Sequence, residues 1–126
     1  MDRETARNLV AGYSLTSVPV ATPFWPELDG LVSVREMSGT ESFNYENAEK
    51  TDVATGKVLV ASIHLTENKS PIFNATDYQW LLDTVGISSL KPLLYKVMGL
   101  SGMLKSQQEA AIEEAKKNLN PTTPNA

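Results

Sequence analysis

Three segments of this sequence read as capping boxes of the pattern Ser/Thr-x-x-Glu/Gln: Ser38-Gly39-Thr40-Glu41, Thr76-Asp77-Tyr78-Gln79 and Ser106-Gln107-Gln108-Glu109. In such a capping box the hydroxyl accepts the backbone amide three residues on, and the Glu or Gln reaches back to the cap's own amide. Each box marks a helix start, and all three lie beyond residue 37, so most of the chain after that point is expected to be helical. The boxes predict helices over about 39–50, 77–85 and 107–119. Another is expected over about 89–98, capped by Ser88 or Ser89, with Leu90, Leu93, Leu94, Val97 and Met98 at the i, i+3, i+4, i+7, i+8 spacing of an amphipathic helix. Pro92 is placed in its first turn, where a missing amide costs little, and Gly99 and Gly102 bracket its end. Asn120-Pro121 stops the last helix, and 120–126 reads as a disordered polar tail.

The first third has a different grammar. Residues 1–17 carry mixed charge with Leu9 and Val10 as neighbouring large apolar groups, which predicts a flexible arm or a short helix. Val18, Val20 and Ala21 are interrupted by Pro19 and Pro23, so this stretch is extended or an edge strand. Asp29-Gly30 supplies the positive φ of a tight turn before the β-branched run Leu31–Met37, predicting a hairpin over 18–37. The helix after Ser38 is expected to bury Phe43 with Ala48 or Tyr45, and Thr51 to Gly56 to be a polar connection. The run Val58–Leu65 fits a buried strand or a buried helix about equally, and a helix over 57–65 is the reading preferred here. The expected fold is a helix-dominated α+β domain over 18–119, with an N-terminal β-hairpin followed by several α-helices. A chain of 126 residues buries roughly two-thirds of its unfolded surface, enough for one core without staples.

Composition removes most chemistry. There is no cysteine and one histidine, which excludes thiolate metal sites, disulfides and cysteine nucleophiles. His64 sits in an apolar run with no second histidine or carboxylate at ligand spacing, so it reads as structural. Asp77 and Asp83 are six residues apart and do not face one another on a helix; Gly99-Leu100-Ser101-Gly102 lacks the strand that a phosphate loop follows; the serines have no evident base. No catalytic, metal or cofactor-binding residue is therefore expected, and the protein is not expected to be an enzyme. Fifteen acids against eleven scattered bases give a net charge of −4, which argues against nucleic acid as a partner. No apolar run reaches membrane-spanning length, and Met1-Asp2-Arg3-Glu4 lacks the apolar core of a leader, so the expectation is an intracellular protein with no membrane contact. The two N-x-S/T sequons, at Asn68 and Asn74, are read as chance.

What remains is surface. Trp25 and Trp80 are each core fillers or interface anchors. Trp80 falls partly off the Leu81, Leu82 face, so it either reaches the arm or strand or is exposed for a partner. The last helix has a narrow, alanine-rich stripe, Ala111, Ile112, Ala115 and Leu119, that must pack on another surface, its own domain's or a neighbour's. With Leu104 just ahead of that helix, these residues and Trp80 are the candidates for protein interaction.

The order of features resembles a family. Phe24-Trp25-Pro26-Glu27, then Val32-Ser33-Val34-Arg35-Glu36-Met37-Ser38-Gly39 with Glu41, is similar to the tryptophan near Pro-Glu and the V-x-V-R-E-L-S-G-x-E stretch of the tail assembly chaperones of long-tailed bacteriophages. The apolar run, the turn Glu67-Asn68-Lys69-Ser70 with Pro71-Ile72-Phe73, and Leu100-Ser101-Gly102-Met103 before a charged helix ending in Lys117-Asn118 resemble that family's later segments. The turn has Asn68-Lys69 where glycine is common, and Phe24-Trp25-Pro26 is shifted from the usual order. The resemblance covers about 24–119. It implies a chaperone that coats and solubilises the tape measure protein, recruits tail tube protein subunits, self-associates, works in the host cell cytoplasm and is absent from the mature virion. It also implies a longer product of ribosomal frameshifting, for which an A-rich run encoding Lys116-Lys117-Asn118 would serve. Two other readings stay open: a small acidic adaptor or regulatory domain that binds one protein, and a minor structural protein of the virion.

Overall fold

The computed structural model describes residues 1–13 and 15–119, apart from the side chains of 118 and 119. Helix α1 (Arg3–Ala11) leads to strand β1 (Ser17–Pro19) and strand β2 (Val32–Arg35). Helices α2 (Gly39–Glu46) and α3 (Thr51–Ser62) follow, then strand β3 (Ile63–Leu65) and helices α4 (Tyr78–Thr84), α5 (Ile87–Leu100) and α6 (Lys105–Leu119). The described chain is thus a helix-dominated α+β fold, its first two strands preceding most of the helices. The sheet is antiparallel in the order β1-β2-β3.

Register divides the sheet's faces, because side chains alternate along a strand. The pairings Val18↔Val34 and Val34↔Ile63, with Val32↔Leu65, put an apolar row on one face. Ser17↔Arg35 and Ser33↔His64 put a polar row on the other. The apolar face packs on the helices: Val32, Val34 and Ile63 join Leu59 of α3, Leu81 of α4, and Leu90, Leu93 and Val97 of α5 in one buried cluster. Leu94 and Met98 of α5 are half-buried at its margin.

Helix α3 is the hub. Ala54, Gly56, Val58, Leu59, Val60 and Ser62 are all buried, so this helix is covered on nearly every side. Gly56 is where α4 comes closest: a Cβ there would stand 3.0 Å from Leu82 Cδ1 and 3.1 Å from the Tyr78 carbonyl oxygen. The absence of a side chain is what lets the two helices meet.

Several expectations are corrected. The run read as a helix over 57–65 is helix only to Ser62, and the helix starts at Thr51, inside the stretch read as a polar connection. Ile63 turns to φ −87°, ψ 126° and enters the sheet with no intervening loop, because β2 offers it a pairing edge. The hairpin has no tight two-residue turn. Residues 20–31 join the strands through successive turns, Trp25 N to Thr22 O (2.8 Å), Leu28 N to Trp25 O (2.9 Å) and Leu31 N to Leu28 O (2.9 Å). Pro23 and Pro26 have no amide with which to continue a ladder, and the Asp29 carboxylate instead accepts Thr22 N at 2.9 Å. Gly30, at φ 87°, does take the positive φ expected of it.

Of the three boxes, the Ser38 box forms in full: Glu41 N donates to Ser38 Oγ (3.2 Å) and Ser38 N donates to Glu41 Oε1 (2.8 Å). The Thr76 box does not; α4 starts at Tyr78, and Asp77 turns back to accept Asn74 N at 2.8 Å. The third moves by two residues: Leu104 stands before α6, and Gln107 Oε1 accepts Leu104 N at 3.1 Å. Helix α5 starts at Ile87 after Gly86, ahead of the expected serine caps, so Pro92 lies beyond its first turn and removes the amide that would bond the Ser88 carbonyl. Helix α2 ends at Glu46 rather than 50, and Phe43, expected to be buried, is 67% exposed. The tail at 120–126 lies outside the described residues.

Candidate functional site: an aromatic groove and two uncovered helices

The charged and hydroxyl groups of residues 35–41 form a folding device. Arg35 makes a two-pronged ion pair with Glu41, Nη1 to Oε1 at 2.8 Å and Nη2 to Oε2 at 3.0 Å. Glu41 also serves the Ser38 cap, so one carboxylate fastens β2 to the start of α2. The Arg35 guanidinium, foremost, and the Ser38 amide hold the Glu41 carboxyl below its usual range. Ser101 Oγ accepts the Met37 amide at 2.9 Å and donates to the Val97 carbonyl at 2.7 Å. Ser42 Oγ donates to the Met103 sulfur at 3.4 Å. The segments around 37–42 and 101–103, sixty residues apart in sequence, are therefore stitched together.

His64 has both ring nitrogens occupied. Nε2 lies 2.7 Å from Ser17 Oγ and Nδ1 lies 3.1 Å from the Ser62 carbonyl oxygen. The serines were read as lacking a base partner, and Ser17 corrects that reading: the two residues are 47 apart in sequence and meet only because both flank β2. The second nitrogen, Nδ1, faces the Ser62 backbone carbonyl, where a hydrolytic triad has a carboxylate accepting from it. The pair ties the two outer strands together across the polar face of the sheet. Among the described residues, no three His, Cys, Asp or Glu side chains cluster as a metal site, and no helix is long and apolar enough to cross a membrane.

An apolar, aromatic-lined surface was not foreseen as a unit. Phe24, Trp25 and Leu28 from the β1–β2 connection, Ile72 and Phe73 from the segment after β3, and Trp80 and Val85 at α4 line an open groove of about 450 Å³. Phe24 and Trp25 meet edge to face at 5.0 Å, and Phe73 lies 6.3 Å from Trp80. Trp80 is 56% exposed, so it lies at the lip of this groove rather than in the core. Glu27 lines the groove, and Asp77 lines its extension beside Phe73 and Trp80, so its rim is acidic. The two tryptophans were the available signal; what the sequence could not show was that three separate segments bring them to one place.

The remaining candidates stand apart from that groove. Leu104 is half-buried, and its Cδ1 would lie 3.5 Å from a Cβ at Gly99, so it closes the end of α5. Helix α5 ends in a Schellman motif: Gly102 has φ 70°, Gly102 N donates to Gly99 O (3.2 Å) and Met103 N donates to Met98 O (2.9 Å). Gln107 Nε2 then donates to Gly99 O at 2.8 Å and holds the first turn of α6 to that end. Beyond this, Ala111, Ile112 and Ala115 are exposed along α6. The Leu119 side chain lies outside the described residues. Helix α1 is likewise uncovered: Asp2 caps it by accepting Thr5 N at 2.7 Å, and no residue of it is buried.

No protein-family model matches this sequence, and no curated protein matches it. Among solved structures it is similar to the tail assembly chaperone of bacteriophage HK97, with a TM-score of 0.59 and 19% identity over 77% of this chain and 93% of that chain. At that identity the likeness is one of fold.

Proposed function

We propose that this protein is an assembly chaperone for the tail of a long-tailed bacteriophage and acts by contact rather than by catalysis. The observation that carries the reading is the fold shared with the HK97 tail assembly chaperone over most of both chains. The order of motifs over 24–119 that resembles this family is consistent with that reading. In this reading the client is the tape measure protein, a long helical chain whose continuous apolar stripe aggregates when bare. Many copies of a small domain of net charge −4 lend that stripe a covering whose outer side is charged and soluble. The uncovered α6 stripe, Ala111, Ile112 and Ala115, suits helix-on-helix contact: it is narrow and small, so each copy binds weakly and tail tube protein can displace it. The chaperone then leaves, in the host cytoplasm, before the virion is complete.

The test is co-expression with the tape measure protein of the same phage. Wild-type protein is expected to keep the client soluble and to co-purify with it, and Ile112→Asp to reduce co-purification while far-UV helical signal is retained. A client that stays insoluble at every ratio refutes the role. Loss of helical signal in the variant instead places Ile112 in the core and refutes the interface. Mass analysis of purified virions is expected to lack this chain; its presence there favours a structural component.

A further inference from the structure

Helix α1 is an amphipathic helix that the described residues leave uncovered. Ala6, Leu9, Val10 and Tyr13 recur at i, i+3, i+4 and i+7, the anchor spacing of a helix that docks in a groove. Tyr13 continues the stripe past the end of the helix, its amide donating to the Val10 carbonyl at 3.1 Å. All four are exposed, Val10 at 71% and Tyr13 at 86%. Arg3 and Arg7, one helical turn apart, flank the Val10 side of the stripe. A nine-residue helix that buries nothing is marginal in water, since nucleation costs more than so few hydrogen bonds return. Its stability has to come from a surface that it does not meet among the described residues.

The groove between Phe24-Trp25, Ile72-Phe73 and Trp80 has the complementary properties. It is apolar along its floor, acidic at Glu27 and Asp77, and among the described residues lined by no lysine or arginine. No residue of α1 lines it. The geometry points to a second copy of this chain as the occupant: α1 of one molecule lays Leu9, Val10 and Tyr13 into the aromatic groove of the next, with Arg3 and Arg7 facing the acidic rim. The two surfaces are different parts of the molecule, so the contact is head-to-tail and generates a ring or an open chain rather than a simple two-fold dimer. Helix α6 competes poorly for the same groove, because its stripe is mostly alanine and Lys105 already faces Glu109 at 3.9 Å. The inference deepens the self-association within the proposed function by assigning it a surface, and it leaves α6 to the tape measure protein.

The experiment is sedimentation velocity on the full chain over a wide concentration range. Wild-type protein is expected to form concentration-dependent oligomers that weaken with salt. Two variants each break one side: Leu9→Asp with Val10→Asp on α1, where nothing is buried, and Trp80→Glu with Glu27→Lys on the groove. Each is expected to stay folded by far-UV circular dichroism and to weaken self-association by roughly tenfold or more. Mixed, the two variants retain one intact helix and one intact groove between them, so they are expected to form one-to-one heterodimers and nothing larger. Arg7→Glu combined with Glu27→Lys is expected to recover association that either change alone weakens. A monomeric wild type, undiminished oligomers in either variant, or no heterodimer on mixing overturns the inference; a concentration-independent monomer in which Leu9→Asp perturbs Trp80 fluorescence shows that α1 docks within its own chain and overturns it too. Failure of the tape measure co-expression leaves these results unaffected, so the two proposals fall separately.

Discussion

Gly56→Ala sets two well-understood effects against each other and so tests the packing directly. In an exposed helix the change stabilises by roughly 0.8–1 kcal/mol, since alanine loses less backbone freedom than glycine. In α3 the new methyl would stand 3.0 Å and 3.1 Å from the Leu82 side chain and 3.1 Å from the Tyr78 carbonyl oxygen. A leucine can change rotamer, but the carbonyl belongs to the α4 backbone, which fully buried Leu81 anchors in the core. Overpacking of this kind costs roughly 1–3 kcal/mol, and contact with backbone places it in the upper half of that range. The expected net loss is about 1–2 kcal/mol, or a drop of about 4–8 °C in the thermal midpoint for a domain of this size. Thermal and urea melts followed by circular dichroism measure it. In a Leu82→Ala background two of the three contacts are gone, so Gly56→Ala is expected to cost less there, with a coupling of about 0.5–1.5 kcal/mol. A midpoint that rises, or strict additivity in the cycle, would refute the close approach as the reason for the glycine.

Leu93→Ala is expected to cost about 2–5 kcal/mol, because Leu93 is fully buried against the sheet; Leu94→Ala, at the half-buried margin, is expected to cost visibly less in the same urea series. Acid sensitivity follows from Glu41. Its folded pKa is depressed below an ordinary value of 4.5, so its contribution is complete above that value and is lost as pH falls through the folded pKa. Glu41→Gln is therefore expected to lower stability at neutral pH and to flatten the decline in acid, and an unchanged acid limb would show that the Arg35 pair does not govern it.

How much of this was legible in the sequence varied with how local the cause was. The Ser38 box and the five-residue register of α5 depend on residues within two turns of each other, and they appear where the spacing put them. The Thr76 box failed because Asp77 found a nearer partner in the Asn74 amide, a competition that the pattern does not reveal. The run from Val58 to Leu65 was ambiguous because it is both things: helix while α4 and α5 surround it, strand once β2 becomes its neighbour.

The interaction surfaces divide in the same way. Ala111, Ile112 and Ala115 could be named from helical spacing, as could Trp80 from its place off the Leu81 face, and the structure leaves all four exposed. The groove that gives Trp80 neighbours could not be named, since Phe24, Phe73 and Trp80 approach only after the chain has closed two long connections.

Local hydrogen-bond chemistry and apolar periodicity, written in short stretches of residues, were enough to determine a mainly helical α+β chain, the Ser38 cap and the buried face of α5. Tertiary contact alone decided where α3 became β3, which glycine had to stay bare, that Ser17 would meet His64, and that three distant segments would form one groove. Those outcomes depend on which surfaces lie within a few ångströms of each other, and that proximity is a property of the folded chain as a whole.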